Sequence, residues 1–219
     1  YRGVHLDVCR HFFDAPFVIR LLNLMASLGL NVFHWHLTED QGWRIPIARY
    51  PLLMEVGSVR THDDGSTYQG HYTVEEIKTV IRHAQAMGIL VIPEIELPGH
   101  AQAAIASYPE LSCAQTAVPV RTEWGISEEV FCPGKESTFE FLQDVLSEVM
   151  EIFPSRFIHI GGDECPKTRW RSCPACQQRI REHRLRDEAQ LQSYTVARIA
   201  EFLASHGRHA IGWDEILEG

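Results

Sequence analysis

"ILVIPEIELPGH", residues 89–100, is the stretch that decides the fold. Residues 89–95 are almost continuously apolar and follow Gly88. A strand without polar alternation is buried on both faces, as in a parallel sheet covered by helices. The far end of the run then changes character, with Glu94, Glu96 and His100 in quick succession.

The same pattern recurs on both sides. Residues 3–8 (GVHLDV), 31–37 (NVFHWHL), 156–161 and 208–213 (RHAIGW) read as further strands. Helical segments separate them. Phe17, Leu21, Leu24, Met25 and Leu28 recur at helical spacing over 15–28, and Gly29 ends that run. Thr73 followed by Glu76 is a capping box that opens a helix running to Gly88. A long excursion over about 100–136 holds a short helix and irregular loop. Ser137 opens the next helix, which ends before Pro154, and a helical stretch over about 174–206 ends at Gly207. No repeat, low-complexity tract or long linker interrupts the series.

Strands alternating with helices leave two candidates, an open doubly wound sheet and a (β/α)8 barrel. An open sheet concentrates its chemistry at one switch point, whereas a barrel collects it from the C-terminal end of every strand. Here every strand end is decorated: Asp7, Arg10 and His11 after the first; His34, His36, Glu39, Asp40 and Trp43 around the second. Glu94, Glu96 and His100 follow the third, Asp163 and Glu164 the fourth, and Trp213, Asp214 and Glu215 the fifth. The fold class expected is therefore α/β, a (β/α)8 TIM barrel of which about the first five strands are present. The 219 residues fall short of the roughly 250 typical of that fold. Residues 1–219 are thus expected to be a partial catalytic domain that continues into further barrel units or domains. Its first and fifth strands would then have open edges, and the piece would be poorly stable alone.

Composition limits the partners. The formal net charge is −9 with the twelve histidines neutral, which argues against nucleic acid or an anionic membrane surface. No apolar run reaches the roughly 18 residues of a membrane span. The chain opens on Tyr1, which leaves room for a removed targeting segment. Arginine, carboxylates and tryptophan at one mouth suit a neutral polyhydroxylated ligand, because carboxylates and guanidinium bind hydroxyls and an indole face stacks on a sugar ring.

The run "IHIGGDECP" (158–166) sets Asp163 beside Glu164 directly after two glycines. Two neighbouring carboxylates do not both ionise cheaply, so one becomes a usable general acid. Glycosidic cleavage needs such an acid, and something to stabilise positive charge at the anomeric carbon. Gly161 and Gly162 are expected to leave room for a ring beside the strand. A plain strand-to-helix turn with an acidic N-cap explains a lone GGDE equally well; the other decorated strand ends weigh against it.

With these residues in place the chain resembles the β-N-acetylhexosaminidases of glycoside hydrolase family 20. The resemblance rests on "RGVHLDVCRHFF" (2–13), "NVFHWHLTEDQGWRIPI" (31–47), "VIPEIELPGHAQAAI" (91–105), "IHIGGDE" (158–164) and "IGWDEI" (211–216), in the family's order. It implies a retaining, substrate-assisted mechanism in which the 2-acetamido group of the sugar is the nucleophile. Glu164 then matches the general acid/base and Asp163 the residue that holds the acetamido N–H. His100 matches the histidine behind the acid, with Glu39 as its carboxylate partner, a position where many members carry Asp. Arg10 matches the arginine that binds sugar hydroxyls, and Trp213 one of the aromatic walls. The resemblance also implies an oligosaccharide or glycoconjugate substrate, an extracytoplasmic location and no cofactor. The rest of the family's sugar pocket comes from later strands, so this piece alone is not expected to be active.

Other readings start from the same residues. An inactive carbohydrate-binding homologue would have no need of a general acid. "HWH" at 34–36, joined by Asp40 and His100, would suit a metal-dependent TIM-barrel hydrolase. Among the six cysteines, Cys165, Cys173 and Cys176 supply three zinc ligands without an obvious fourth, so loop thiols or a local disulfide are preferred to zinc there. Cys113 and Cys132 lie together in the excursion, where a disulfide and free thiols both stay open if the protein is exported. The site is expected to use no metal.

Overall fold

Each of the five apolar runs forms a strand, and the strands lie side by side in chain order. The computed structural model describes residues 1–218. Along the chain the elements are β1 (Gly3–Asp7), α1 (Ala15–Ser27), β2 (Val32–His36), β3 (Thr38–Glu39), β4 (Gly42–Trp43), α2 (Leu52–Glu55), β5 (Val59–Thr61), β6 (Thr67–Gln69) and α3 (Val74–Ala86). Then come β7 (Leu90–Leu97), α4 (Gln102–Ser107), α5 (Glu136–Ile152), β8 (Phe157–Gly161), α6 (Thr168–Ser172), α7 (Pro174–Glu182), α8 (Glu188–Ser205) and β9 (His209–Ile211).

The main sheet has the order β1-β2-β7-β8-β9, and every pair in it is parallel. Successive right-handed crossovers that always step the same way put all the helices on one face. The helix contacts agree: α1 lies against α3, α3 against α5, and α5 against α8. A doubly wound sheet would reverse direction at a switch point. The described strands do not reverse, so they form a sector of a (β/α)8 barrel.

The pleat gives the sheet two unlike faces. Phe33, Trp35, Ile95, Ile158 and Ile160 are fully buried in the main core. Trp35 meets Tyr72 and Phe153 at ring-centroid distances of 4.8 and 6.3 Å. Burying each of the aliphatic or phenyl side chains stabilises the fold by about 1.5–3 kcal/mol relative to exposure. The opposite face carries His5, His34, His36, Glu94 and His159. In register, Asp7, His36, Glu94 and His159 form one row across four strands.

The helix caps are partly those expected. At α3 the Thr73 hydroxyl accepts from Glu76 N (3.2 Å), and the Glu76 carboxylate accepts from Thr73 N (2.8 Å). The buried stripe of α1 differs from the expected one: Ala15, Val18, Leu22 and Met25 face inward, while Leu24 and Leu28 are exposed. Two apolar stripes compete on that helix, and tertiary packing chose the other. Helix α5 begins at Glu136, and Ser137 is not its cap. The expected helical stretch over 174–206 is two helices. Arg184 adopts a positive φ of 54°, and Asp187 then caps α8 by accepting from Gln190 N at 2.9 Å.

Two small hairpins, β3–β4 and β5–β6, were not expected. Fully buried Arg44 holds them to the barrel sector. Its guanidinium donates to the carbonyls of Val8 (3.0 Å), Cys9 (2.6 Å), Ser58 (3.0 Å) and Gly70 (2.6 Å). Arg44→Met keeps the stem but strands these acceptors. We expect a loss of about 3 kcal/mol, read as a lower urea midpoint at unchanged slope. An unchanged midpoint would mean that water replaces the guanidinium at no cost.

The cysteines agree with the loop-thiol reading and differ from the disulfide reading and from the three-cysteine zinc set. All six are free thiols, so Cys113 and Cys132 are not joined. Cys165 is not grouped with Cys173 and Cys176. Those two instead meet Cys113 and Cys132.

Candidate active site

The C-terminal ends of β1, β2, β7 and β8 converge on a chain of charged groups. It begins at Asp7, whose Oδ1 accepts from the backbone N–H of Cys9 (2.8 Å) and Arg10 (3.0 Å). That turn aims the Arg10 side chain back across the mouth. Arg10 Nη1 donates to Asp7 Oδ2 at 2.9 Å, and Nη2 lies 3.1 Å from Glu39 Oε2. Glu39 is buried beneath it. The other Glu39 oxygen lies 2.8 Å from His100 Nδ1. His100 Nε2 in turn faces Asp163 Oδ2 at 3.5 Å and Glu164 Oε2 at 3.6 Å. Arg10, Glu39, His100, Asp163 and Glu164 are therefore continuous in space, although they span more than 150 residues of chain.

The electrostatics follow from this chain. Burial works against charge on Glu39, but the adjoining His100 and His36 hold its carboxyl down at about 2. Burial likewise disfavours an imidazolium at His100. Asp163, Asp40 and Glu39 outweigh it and hold His100 well above the usual histidine range. His100 is thus a cation between two sets of carboxylates. Both His100 and Glu164 sit in the left-handed backbone region, at φ 51° and 44°. Such conformations are costly for side-chain-bearing residues and are held by the surrounding structure.

Asp163 and Glu164 differ in exposure, with side chains 21% and 47% accessible. Asp163 Oδ1 is buried and accepts no hydrogen bond among the described residues. Glu164 lines a recess of about 290 Å3 together with Ile126, Lys167, Gln192 and Glu215.

Gly161 and Gly162 do not leave room for a sugar ring, contrary to expectation. A Cβ on Gly161 would lie 1.8 Å from Glu96 Oε2, and one on Gly162 would lie 2.2 Å from Ile216 Cγ2. Both glycines have positive φ, 64° and 94°. They are glycines because the backbone turns there and because Glu96 and Ile216 fill the space. Burial, together with the nearby Glu94 charge, pushes the Glu96 carboxyl well above the ordinary range.

Trp213 lies two residues beyond β9, and its backbone N–H donates to Gly161 O at 2.9 Å. Its ring lies against His159 (4.8 Å), and 5.7 Å from both His34 and His5. With these histidines it lines an open concavity of about 490 Å3 on the inner face of the sheet.

Three features were missed from sequence. First, Glu94 gathers four histidines: His159 (2.7 Å), His34 (2.8 Å), His36 (3.1 Å) and His5 (3.2 Å). Several of these approaches are off the ring N–H axis, so they are ion-pair contacts more than aligned hydrogen bonds. Strand alternation could have found this cluster, since His5, His34, His36, Glu94 and His159 all fall on one pleat face. Second, His34 closes on Glu94, His100 closes on Glu39 and Asp40, and His36 bridges Glu94 and Glu39, so all three histidines among the envisaged metal ligands already face carboxylates. Third, exposed Trp124 reaches the mouth, 5.5 Å from the Arg10 guanidinium. Nothing in its local sequence marks it.

Fold and mouth define the class: a sector of a (β/α)8 barrel with a carboxylate pair, a charged histidine and an arginine at its strand ends. The chain belongs to glycosyl hydrolase family 20, whose catalytic-domain profile matches residues 1–219. It is 51% identical over its full length to a β-hexosaminidase of Porphyromonas gingivalis, and spans 28% of that protein. It is 39% identical, over 98% of its length, to one of Akkermansia muciniphila, and spans 44% of it. Among solved structures, a β-N-acetylhexosaminidase from Bacteroides fragilis superposes with a TM-score of 0.89 at 42% identity, over 99% of this chain and 42% of that one. An exo-β-N-acetylglucosaminidase from Vibrio harveyi, solved with N-acetylglucosamine, gives 0.91 at 38% identity, over 100% of this chain and 36% of that one. The chain thus spans less than half the length of these relatives.

Proposed function

We propose that the protein containing this chain is a retaining exo-glycosidase. It releases terminal β-linked N-acetylglucosamine or N-acetylgalactosamine from oligosaccharides and glycoconjugates, with the sugar's own 2-acetamido group as nucleophile. The observation that carries this reading is the unequal carboxylate pair: a half-exposed Glu164 beside an Asp163 whose buried Oδ1 lacks a donor. An incoming acetamido N–H supplies that donor. Glu164 protonates the glycosidic oxygen while the acetamido carbonyl oxygen attacks the anomeric carbon, forming an oxazolinium ion. Glu164 then takes a proton from the water that opens the ring, so configuration is retained.

The other residues position these two. Charged His100 faces the Asp163 carboxylate at 3.5 Å and helps to fix its position, and Glu39 holds His100 in place at 2.8 Å. Arg10, braced by Asp7 and Glu39, donates to sugar hydroxyls, and Trp213 offers an aromatic wall. A carbohydrate binder would gain nothing from an acid seated this way.

Asp163→Asn tests the assignment in the full-length protein. The expected result is a rate loss of about 10²-fold on 2-acetamido glycosides, because the nucleophile is no longer oriented. A thiazoline analogue of the oxazolinium should inhibit the parent protein strongly and the variant weakly. Equal losses on a glycoside lacking the acetamide would refute the role of Asp163, and indifference of the parent protein to the thiazoline would refute the mechanism.

A further inference from the structure

Four cysteines that the proposed reaction does not use meet at one point. Cys113 follows the short 3-10 turn Pro109–Leu111, Cys132 lies near the end of the long excursion, and Cys173 and Cys176 bracket the first turn of α7. Cys132 Sγ lies 3.6 Å from Cys176 Sγ and 3.8 Å from Cys173 Sγ, and Cys113 Sγ lies 3.7 Å from Cys176 Sγ. All four sulfurs lie within 4.8 Å of one another, and none is bonded to another. Zinc–thiolate bonds of about 2.3 Å in a tetrahedron put the sulfurs about 3.8 Å apart. We propose that Cys113, Cys132, Cys173 and Cys176 bind one structural zinc ion.

The surroundings fit that assignment. Cys173-Pro-Ala-Cys176 has the two-residue spacing of a zinc knuckle. Gly134 lets the other ligand segment pass close: a Cβ there would lie 2.3 Å from Cys176 N and 2.4 Å from Ala175 C. Cys132, Cys173 and Cys176 are buried among Val130, Trp170, Ile180 and Leu191, so the site is closed, as structural sites are. Four sulfurs without an oxygen ligand select a soft or borderline ion over magnesium or calcium. Binding displaces four thiol protons and leaves two negative charges on the complex. Lys135, which donates to the Glu110 and Ser112 carbonyls, and Arg179, which donates to Gly134 O, stand at its rim.

The ion would join two segments that shape the mouth. One is the excursion that carries Trp124 and Ile126 and donates from Phe131 N to Pro98 O at 2.9 Å, just before His100. The other follows Glu164 directly, and its Cys165 lies in the same apolar cluster.

The test uses the full-length protein purified without chelator. Elemental analysis should find about one more zinc per chain in the parent than in a variant with all four cysteines changed to serine. Thiol titration in denaturant with EDTA and no reductant should count four more thiols in the parent. Chelated parent protein reloaded with cobalt(II) should show the visible bands of a tetrahedral tetrathiolate. Should the variant fail to fold, zinc content and the cobalt spectrum of the parent still decide. Equal thiol counts, meaning two disulfides, would overturn the proposal. So would four free thiols that take up neither zinc nor cobalt, or zinc that persists in the variant.

Discussion

On the proposed function, Glu164→Gln in the full-length protein is expected to lower kcat on a β-N-acetylglucosaminide with a poor leaving group by about 10²–10⁴-fold, while substrate binding survives. The amide keeps the size and most of the polarity of the acid but has no proton to give. Its position carries the argument. Glu164 is the more exposed member of the pair, lines its own recess, and has charged His100 on its inner side. The loss should be smaller on a nitrophenyl glycoside, whose leaving group needs little protonation. Comparing the two leaving groups therefore separates a general acid from a residue that merely shapes the pocket. Calorimetric titration with a thiazoline checks that binding persists. Near-normal turnover of the poor leaving group would remove Glu164 from the role.

Glu94→Gln destabilises the protein by about 3–5 kcal/mol, the range for removing one partner of a buried charge cluster. The side chain is fully buried and has four histidines against it. Burial opposes its charge, but His36, His159 and His34 together carry its carboxyl far below the usual range. His36 is correspondingly raised well above 6.5 against its burial, chiefly by Glu94.

The pH dependence follows by linkage. A carboxyl depressed in the fold stabilises above its ordinary value of 4.5 and loses that contribution as pH falls. A histidine raised in the fold stabilises below 6.5 and loses that contribution as pH climbs toward its folded value. His34, which burial pushes down, subtracts from this second limb. Stability of the parent protein should therefore be greatest at about pH 4.5–6.5, and Glu94→Gln should flatten both limbs. Denaturation midpoints measured across pH check this. Parallel curves for parent and variant would show that the histidines are neutral and the cluster is only packing.

The strands were legible because a doubly buried strand must be written in apolar residues, and 89–95 could be little else. The barrel was legible from chemistry distributed over every strand end, which the sequential strand order bears out. The stripe of α1 was not, because Phe17/Leu21/Leu24/Leu28 and Val18/Leu22/Met25 are both helical repeats and only the sheet beneath selects one. The break between α7 and α8 carries no glycine or proline, so Asp187 as a cap was its sole mark.

By itself the sequence determined which residues stand at the ends of the strands, because the period of a strand and its apolar content are local properties. Tertiary structure alone decided what those residues meet. Arg10, Glu39, His100 and Asp163 are distant in the chain and become one continuous row of charged groups only when β1, β2, β7 and β8 lie in register. The same holds for Glu94 and its histidines, and for four thiols drawn from two segments. Pairing energies depend on distances of a few ångströms, and those distances are set by packing, not by the order of residues.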